Sequence, residues 1–211
     1  MENFDRNVFV NCPFDRDYKP LLLSSIFTIK YLGYLPRLSL ESLDSSESRI
    51  SKIANLINES KFGIHDLSRI MSSTENEPYR MNMPFELGID YGTKFLKGGA
   101  WSRKKILILE KEKYRYQVAL SDLSGSDIIN HNDDAATVMK EVRDWFVVSE
   151  SISAHSGNKI WQKFNEFHAY LYDRAVMNDG HESIEHLQIA EILKHIDNWL
   201  TNVNADIKDV A

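Results

Sequence analysis

From residue 8 to about residue 148, short apolar runs alternate with stretches where apolar residues recur every three or four positions. That alternation is the mark of a parallel sheet with crossover helices. VFVNC (8–12) predicts a buried first strand and YLPRLSL (34–40) a second, whose Pro36 suits an edge or a bulge. KFGIHDLS (61–68) predicts the third strand with its exit loop, and RKKILILEK (103–111) the fourth. Ile128 and Ile129 mark a short last strand inside the weaker stretch 114–131. A helix over Tyr18–Leu32 places Leu22, Ile26, Ile29 and Gly33 on one face. DSSE (44–47) has capping-box spacing, with Asp44 as N-cap, and opens a helix with the stripe Ile50, Ile53, Ala54 and Ile57. A polar loop (69–80) leads to a helix opening at Pro84, and a last helix covers 133–148. The expected architecture is α/β: a flavodoxin-like three-layer fold around a central five-stranded parallel sheet, over residues 5–148.

Beyond it, SESISAHSGN (149–158) reads as a linker, and residues 159–205 as a C-terminal helical hairpin turning at NDG (178–180). One helix carries Ile160, Phe164, Phe167, Leu171 and Ala175; the other carries Leu187, Ala190, Leu193, Ile196, Leu200 and Val203. Stripes this apolar must be covered, by the domain, a partner or a second copy, and a homo-oligomer is expected.

The 211 residues carry a net charge of −6, without the basic footprint expected of a protein that wraps duplex nucleic acid. A single cysteine, Cys12, excludes an internal disulfide framework and fits a reducing cytoplasm. MENFDRNVFV does not read as a secretory signal, and no apolar run is long enough to span a membrane. A cytoplasmic protein is expected, with no membrane partner.

In open parallel sheets, ligands bind at the carboxyl ends of the strands. The strand assignments bring Asn11, Cys12, Phe14, Asp15 and Arg16 to that edge, with Ser39, Glu41 and Asp44, and with His65, Asp66, Ser68 and Arg69. Cys12 lacks the arginine six residues on that a phosphatase loop needs, since Tyr18 stands there, and it reads as a buried strand residue. No Gly-rich turn follows the first strand, so neither a dinucleotide fingerprint nor a Walker loop is present. HESIEH (181–186) spaces its histidines five apart, one too many for two ligands on one helix face, and no metal is expected. In RMNMPFELGIDYG (80–92), Phe85, Gly88, Ile89, Gly92, Phe95 and Leu96 share the face expected to meet the sheet, the glycines allowing close approach. Glu86 and Asp90 fall on another stripe. Two acids four apart repel each other, so that stripe is not optimised for the helix itself. Glu86 is open to two readings, a solvated first-turn acid or a catalytic carboxylate at the edge of the sheet.

Four segments together resemble the TIR domains and the related nucleoside deoxyribosyltransferases: FVNCPFDRD (9–17), SLESLDSSESRISKIANLI (39–57), GIHDLS (63–68) and NMPFELGIDYG (82–92). PFELG is closer to the deoxyribosyltransferase pattern of an aromatic, Glu, an apolar residue and Gly. The resemblance covers about residues 5 to 148 and leaves the C-terminal hairpin outside it. It implies cleavage of an N-glycosidic bond, with Glu86 as the catalytic carboxylate. Asp66, in the catalytic set with Glu86, and Asp15 would contact ribose or base, Phe14 would stack on a ring, and Arg16 and Arg49 would hold a pyrophosphate; Glu41 and Asn82 complete the expected substrate-binding set. NAD enters as substrate, with no cofactor. The resemblance further implies a bacterial defence effector that an activating ligand, a protein or assembly switches on. For Asp66 an Asx turn, and for the arginines a solvated surface position, stand as alternatives. Within the enzyme class the alternatives are a deoxyribosyltransferase or a nucleotide hydrolase. Outside it stands a non-catalytic TIR-like assembly module, in which Glu86 would be open to solvent with no cavity there, whereas a catalytic Glu86 would lie in a concave pocket within reach of Phe14 and Asp66. A receiver-like phosphoacceptor role for Asp66 ranks low, because NCPFD lacks paired acids beside the strand.

Overall fold

Residues 3–41, 43–70, 72 and 81–208 are described by a computed structural model. Its strands are β1 (Asn7–Asn11), β2 (Leu35–Arg37), β3 (Phe62–Asp66), β4 (Lys105–Glu110) and β5 (Ile128–Asn130). They form one all-parallel sheet in the order β2-β1-β3-β4-β5, the arrangement expected. Pro36 lies in β2, an edge strand, where a missing donor costs no ladder bond on the open side. The helices are α1 (Lys19–Tyr31), α2 (Arg49–Asn58), α3 (Asn82–Leu96), α4 (Ala135–Glu150), α5 (Gly157–Tyr172) and α6 (Ile189–Lys208). The loop expected over 69–80 falls largely outside the described residues.

Alternation along the strands divides the interior. Val8 and Val10 of β1, with Phe62 and Ile64 of β3, join the core shared with α1 and α4. Phe9 points the other way and packs with Ile53, Leu56 and Ile57 of α2. Helix α1 is buried at every position from Leu21 to Ile29, because the sheet covers one side and the C-terminal helices the other. Two of its buried polar side chains bond within the helix: Ser24 donates to the Leu21 carbonyl at 2.9 Å and Thr28 to the Ser24 carbonyl at 2.7 Å. Gly33 does not lie on the face of this helix. It sits just past the end with φ +87°, where a left-handed residue turns the chain toward β2.

The hairpin packs on α1 and α4 and extends the same core. Phe27 of α1 meets Phe164, Phe167 and Trp199 with ring centroids 5.3 to 5.7 Å apart. The apolar stripes that motivated a homo-oligomer are thus covered from within the chain. On α5 the expected stripe is buried; on α6 the buried line is Ile189, Ile192, Ile196 and Trp199, with Ala190 exposed. Residues 149 and 150 belong to α4, which shortens the expected linker. The connection between α5 and α6 runs through a π-helical stretch (Asp173–Asn178) and a 3-10 turn (Ile184–His186).

Two helix starts differ from expectation. The N-cap of α2 is Ser48, which accepts from the Ser51 amide at 3.2 Å; Asp44 instead binds the Ser46 amide at 2.9 Å in an Asx turn. Ile50 therefore falls in the first turn and is exposed. Helix α3 starts at Asn82, so Glu86 lies in its second turn.

The face of α3 toward the sheet is Met83, Glu86, Leu87 and Asp90, whereas Phe85, Phe95 and Leu96 are exposed. A Cβ at Gly88 or Gly92 would meet nothing within 4 Å, so close approach does not explain either glycine. Gly63 is the position where it does. A Cβ there would stand 2.2 Å from Asp90 Oδ2 and 2.9 Å from His65 Nε2. Gly63→Ala is expected to cost about 1–3 kcal/mol by overpacking, and Gly88→Ala to add about 0.5–1 kcal/mol of helix propensity. Urea denaturation of the two variants beside the parent checks both signs.

Candidate functional site

The period of two along β3 sends its last residues, His65 and Asp66, to opposite faces of the sheet. On the α3 face, the Asn11 amide donates to the Met83 carbonyl at 2.9 Å, which fixes its orientation, and to His65 Nδ1 at 3.0 Å. With Nδ1 accepting, the proton sits on Nε2 and is directed at Asp90 Oδ2, 3.0 Å away. The other Asp90 oxygen lies 3.0 Å from Lys104 Nζ, which also donates to the Ile57 carbonyl at 2.9 Å and to the Ser60 carbonyl. All four residues are buried. Burial drives the Asp90 carboxyl up, but His65 and Lys104 more than offset it and hold it below its ordinary value. Burial lowers the Lys104 ammonium, against the pull of Asp90.

On the α1 face, Asp66 Oδ2 accepts from the Tyr18 hydroxyl at 2.6 Å and lies 2.9 Å from His131 Nε2; Oδ1 accepts the Ser68 amide at 2.8 Å. The Asp133 amide donates to His131 Nδ1 at 3.1 Å, which places the ring proton on Nε2, where Ser68 Oγ and Asp66 Oδ2 both lie at 2.9 Å. Burial raises the Asp66 carboxyl, and the contacts with His131, Ser68 and Tyr18 outweigh it. The hydroxyl of Tyr18 is pushed well up, first by burial and then by Asp66. Asp66 is fully buried with both oxygens engaged. The expected ligand-contacting role is therefore corrected: in this geometry Asp66 braces the start of α1 and the β5–α4 turn. The Asx-turn alternative is what its Ser68 contact describes.

Glu86 is only 5% exposed, on the same stripe as Asp90. Among the described residues its ionic partner is Arg49 at 3.5 Å, whose side chain is 59% exposed at the start of α2. Burial raises the Glu86 carboxyl above its ordinary value, with Arg49 opposing. The solvated-acid reading of Glu86 does not hold. Cys12 is buried: burial first, then the charges of Asp66, Glu86 and Asp15, raise its thiol well above the usual range. A thiol so disfavoured as thiolate is no nucleophile, in line with its expected role.

Phe14, Asp15 and Arg16 line a cavity of about 460 Å³ whose far wall is the chain between Glu185 and Ile189. Asp15 caps the turn before α1, accepting from the Tyr18 amide at 3.1 Å, and lies 3.3 Å from Arg69. Glu41 is 2.9 Å from Arg37 and accepts the Leu38 amide at 2.5 Å, so it secures the end of β2. Asn82 is exposed at the first residue of α3. The expected set is thus divided among the Glu86–Arg49 pair, the Phe14–Arg16 cavity, the interior (Asp66), the end of β2 (Glu41) and the exposed start of α3 (Asn82). Sequence reasoning passed over Tyr18, His131 and Lys104 and left Asp90 off the face expected to meet the sheet. Among the described residues no group of three His, Cys, Asp or Glu is placed to hold a metal ion, and no helix is long and apolar enough to cross a membrane. No protein-family model and no curated protein matches the chain.

Asp66 and Asp90 both titrate below the ordinary aspartate value of 3.8. A depressed carboxyl contributes stability that is complete above its unfolded pKa and is lost as pH falls through the folded one. Urea denaturation stepped from about pH 6 to about pH 2.5 is expected to show stability falling at the acid end of that range. Asp66→Asn should flatten part of that fall, because it deletes one of the depressed carboxyls, which also include Asp44, Asp134 and Glu150. An unchanged slope would show that Asp66 does not contribute it.

Proposed function

We propose that the protein is an N-glycosidase that cleaves the ribosyl C–N bond of NAD or a related nucleotide, with Glu86 as the catalytic carboxylate. What carries the reading is the unequal treatment of two buried acids on one helix stripe. Asp90 has a histidine hydrogen-bonded to Oδ2 and a lysine ion-paired, without hydrogen-bond geometry, to Oδ1, each at 3.0 Å. Among the described residues Glu86 has one half-exposed arginine at 3.5 Å. A buried carboxylate with so loose a partner costs stability, and such groups concentrate where chemistry needs them. A solvent-open Glu86 would have suited the assembly module.

The chemistry suits the group. As the C1′–N bond breaks, its electron pair leaves with the base and positive charge develops on the ribose, as in glycoside hydrolysis. A fixed carboxylate beside C1′ stabilises that charge, or bonds to C1′ until water displaces it. Desolvation strengthens either interaction. Arg49, at the rim, would hold the phosphate part of the substrate and leave Glu86 free to face the sugar. The segment resemblance supports the same assignment, and with it a role as a bacterial defence effector.

Incubation with NAD and chromatography of the products is expected to show nicotinamide release, and Glu86→Gln to lower the rate at least about a hundredfold. Because the carboxylate is the active form, the acid limb of the rate profile should lie above 4.5, the ordinary glutamate value. Equal rates in parent and variant would remove Glu86 from the mechanism. No release from NAD, deoxynucleosides or nucleoside monophosphates would overturn the glycosidase reading.

A further inference from the structure

The cavity beside Phe14 has two walls of different origin. One is the β1–α1 loop with the start of α1; the other is the C-terminal chain from Glu185 to Ile189, outside the part that bears the family resemblance. Its floor is apolar and buried, formed by Leu22, Leu187 and Ile189. Phe14 stands partly exposed in the lining. A volume of about 460 Å³ lies within the range of small-molecule sites.

Two cations line the cavity, and the C-terminal chain holds both. Arg16 pairs with the Glu185 carboxylate at 2.8 Å. Lys19 donates to the backbone carbonyl of Leu187 at 3.4 Å and to that of Glu185. The strap thus offers one carboxylate and two carbonyl oxygens to the two side chains best suited to a phosphate. Its grip is weak at the point that matters. The Arg16 side chain is 83% exposed and that of Glu185 50%, and exposed ion pairs of this kind contribute little. A phosphate can engage a guanidinium through two parallel hydrogen bonds and so outcompete a single solvated carboxylate.

We infer that this cavity binds a phosphate-bearing aromatic ligand of the nucleoside monophosphate class, and that Glu185 occupies the phosphate position on Arg16 until the ligand displaces it. The aromatic base lies over the apolar floor beside Phe14, and the phosphate meets Arg16 and Lys19. The C-terminal hairpin is then part of the binding site as well as part of the core. Glu185 acts as a built-in competitor that sets the ligand concentration at which the site fills. The choice of a nucleotide rests on the proposed reaction; the competition between Glu185 and phosphate does not.

Calorimetric titration of the full chain with AMP, adenosine and inorganic phosphate tests this directly. AMP is expected to bind more tightly than either fragment. Arg16→Ala should weaken AMP at least about tenfold, and Glu185→Gln should tighten it about two- to fivefold, the range an exposed ion pair allows. Both positions are solvent-exposed, and thermal melts of the variants establish that they fold. AMP binding unchanged by both substitutions, or absent at millimolar concentration, overturns the inference. So does AMP binding that Glu86→Gln abolishes and Arg16→Ala leaves intact, which would put the ligand at Glu86. Nicotinamide release without an AMP site would leave the proposed reaction standing and remove this one; AMP binding without release would do the reverse.

Discussion

Asp90 between Lys104 and His65 is the interaction on which the geometry of the site depends. A carboxylate without water is tolerated only with charge and hydrogen bonds supplied to it. Here they come from two other parts of the chain, each oxygen having its own partner at 3.0 Å. Lys104 is tied in turn to carbonyls at the end of α2 and the approach to β3, and His65 to the amide of Asn11 on β1. One polar chain therefore locks α3 to β1, β3, β4 and α2. Gly63 is the space it needs, since any side chain at that point of β3 would enter the His65–Asp90 contact. The position of Glu86, one turn earlier on the same stripe, follows from that lock.

The other face of the sheet is organised by a different carboxylate for a different end. Asp66 gathers Tyr18 from the approach to α1 and His131 from the turn after β5, and it shares the sheet edge with His65 while facing away from it. In both networks a histidine accepts an amide at Nδ1 and so turns Nε2–H toward a carboxylate, shared in the His131 case with Ser68 Oγ. Among the described residues each oxygen of these two carboxylates has a charged or hydrogen-bonding group within 3.0 Å, Asp90 Oδ1 through its ion pair alone, whereas Glu86 has Arg49 at 3.5 Å. Helix α1, between the sheet and the hairpin, is held at its start by this network and along its length by the C-terminal aromatics.

What could be read from the sequence followed the range of the forces involved. Strand positions, the parallel order and the edge placement of Pro36 rest on local runs and on the crossover rule, and the sheet agrees with them. The face of α3 does not follow from local pattern. A hydrophobicity count credits Phe85, Phe95 and Leu96 and debits Glu86 and Asp90, while the compensating charge on Lys104 is fourteen residues from Asp90 in the chain. The residual signal was the repulsive pair of acids four apart, which makes no sense on a solvated helix. Likewise α6 has two near-equivalent apolar lines, and only the aromatic surface of α1 and α5 selects the one through Ile192, Ile196 and Trp199. At the start of α2 the capping box read at Asp44 was used for a turn, and Ser48 caps the helix. The role of residues 185–189 as the wall of a cavity had no sequence signal at all, since it arises from the fold bringing the hairpin connection onto the β1–α1 loop.

The division of labour between Asp90 and Glu86 also explains why a stable scaffold can carry a costly acid. Raising the Glu86 carboxyl by burial stores an unfavourable interaction that a flexible helix would relieve by tilting its second turn toward water. The Asp90 lock prevents that tilt, because moving α3 outward would strip Lys104 and His65 of their carboxylate inside the protein, at a cost of about 3–5 kcal/mol for a broken buried pair. Glu86 is kept desolvated by the stronger interaction next to it. Arg49 contributes enough attraction to keep the ionised form accessible, yet at 3.5 Å and largely in water it does not saturate the carboxylate. A rigid, under-saturated carboxylate at the edge of a parallel sheet is what stabilisation of a developing positive charge requires.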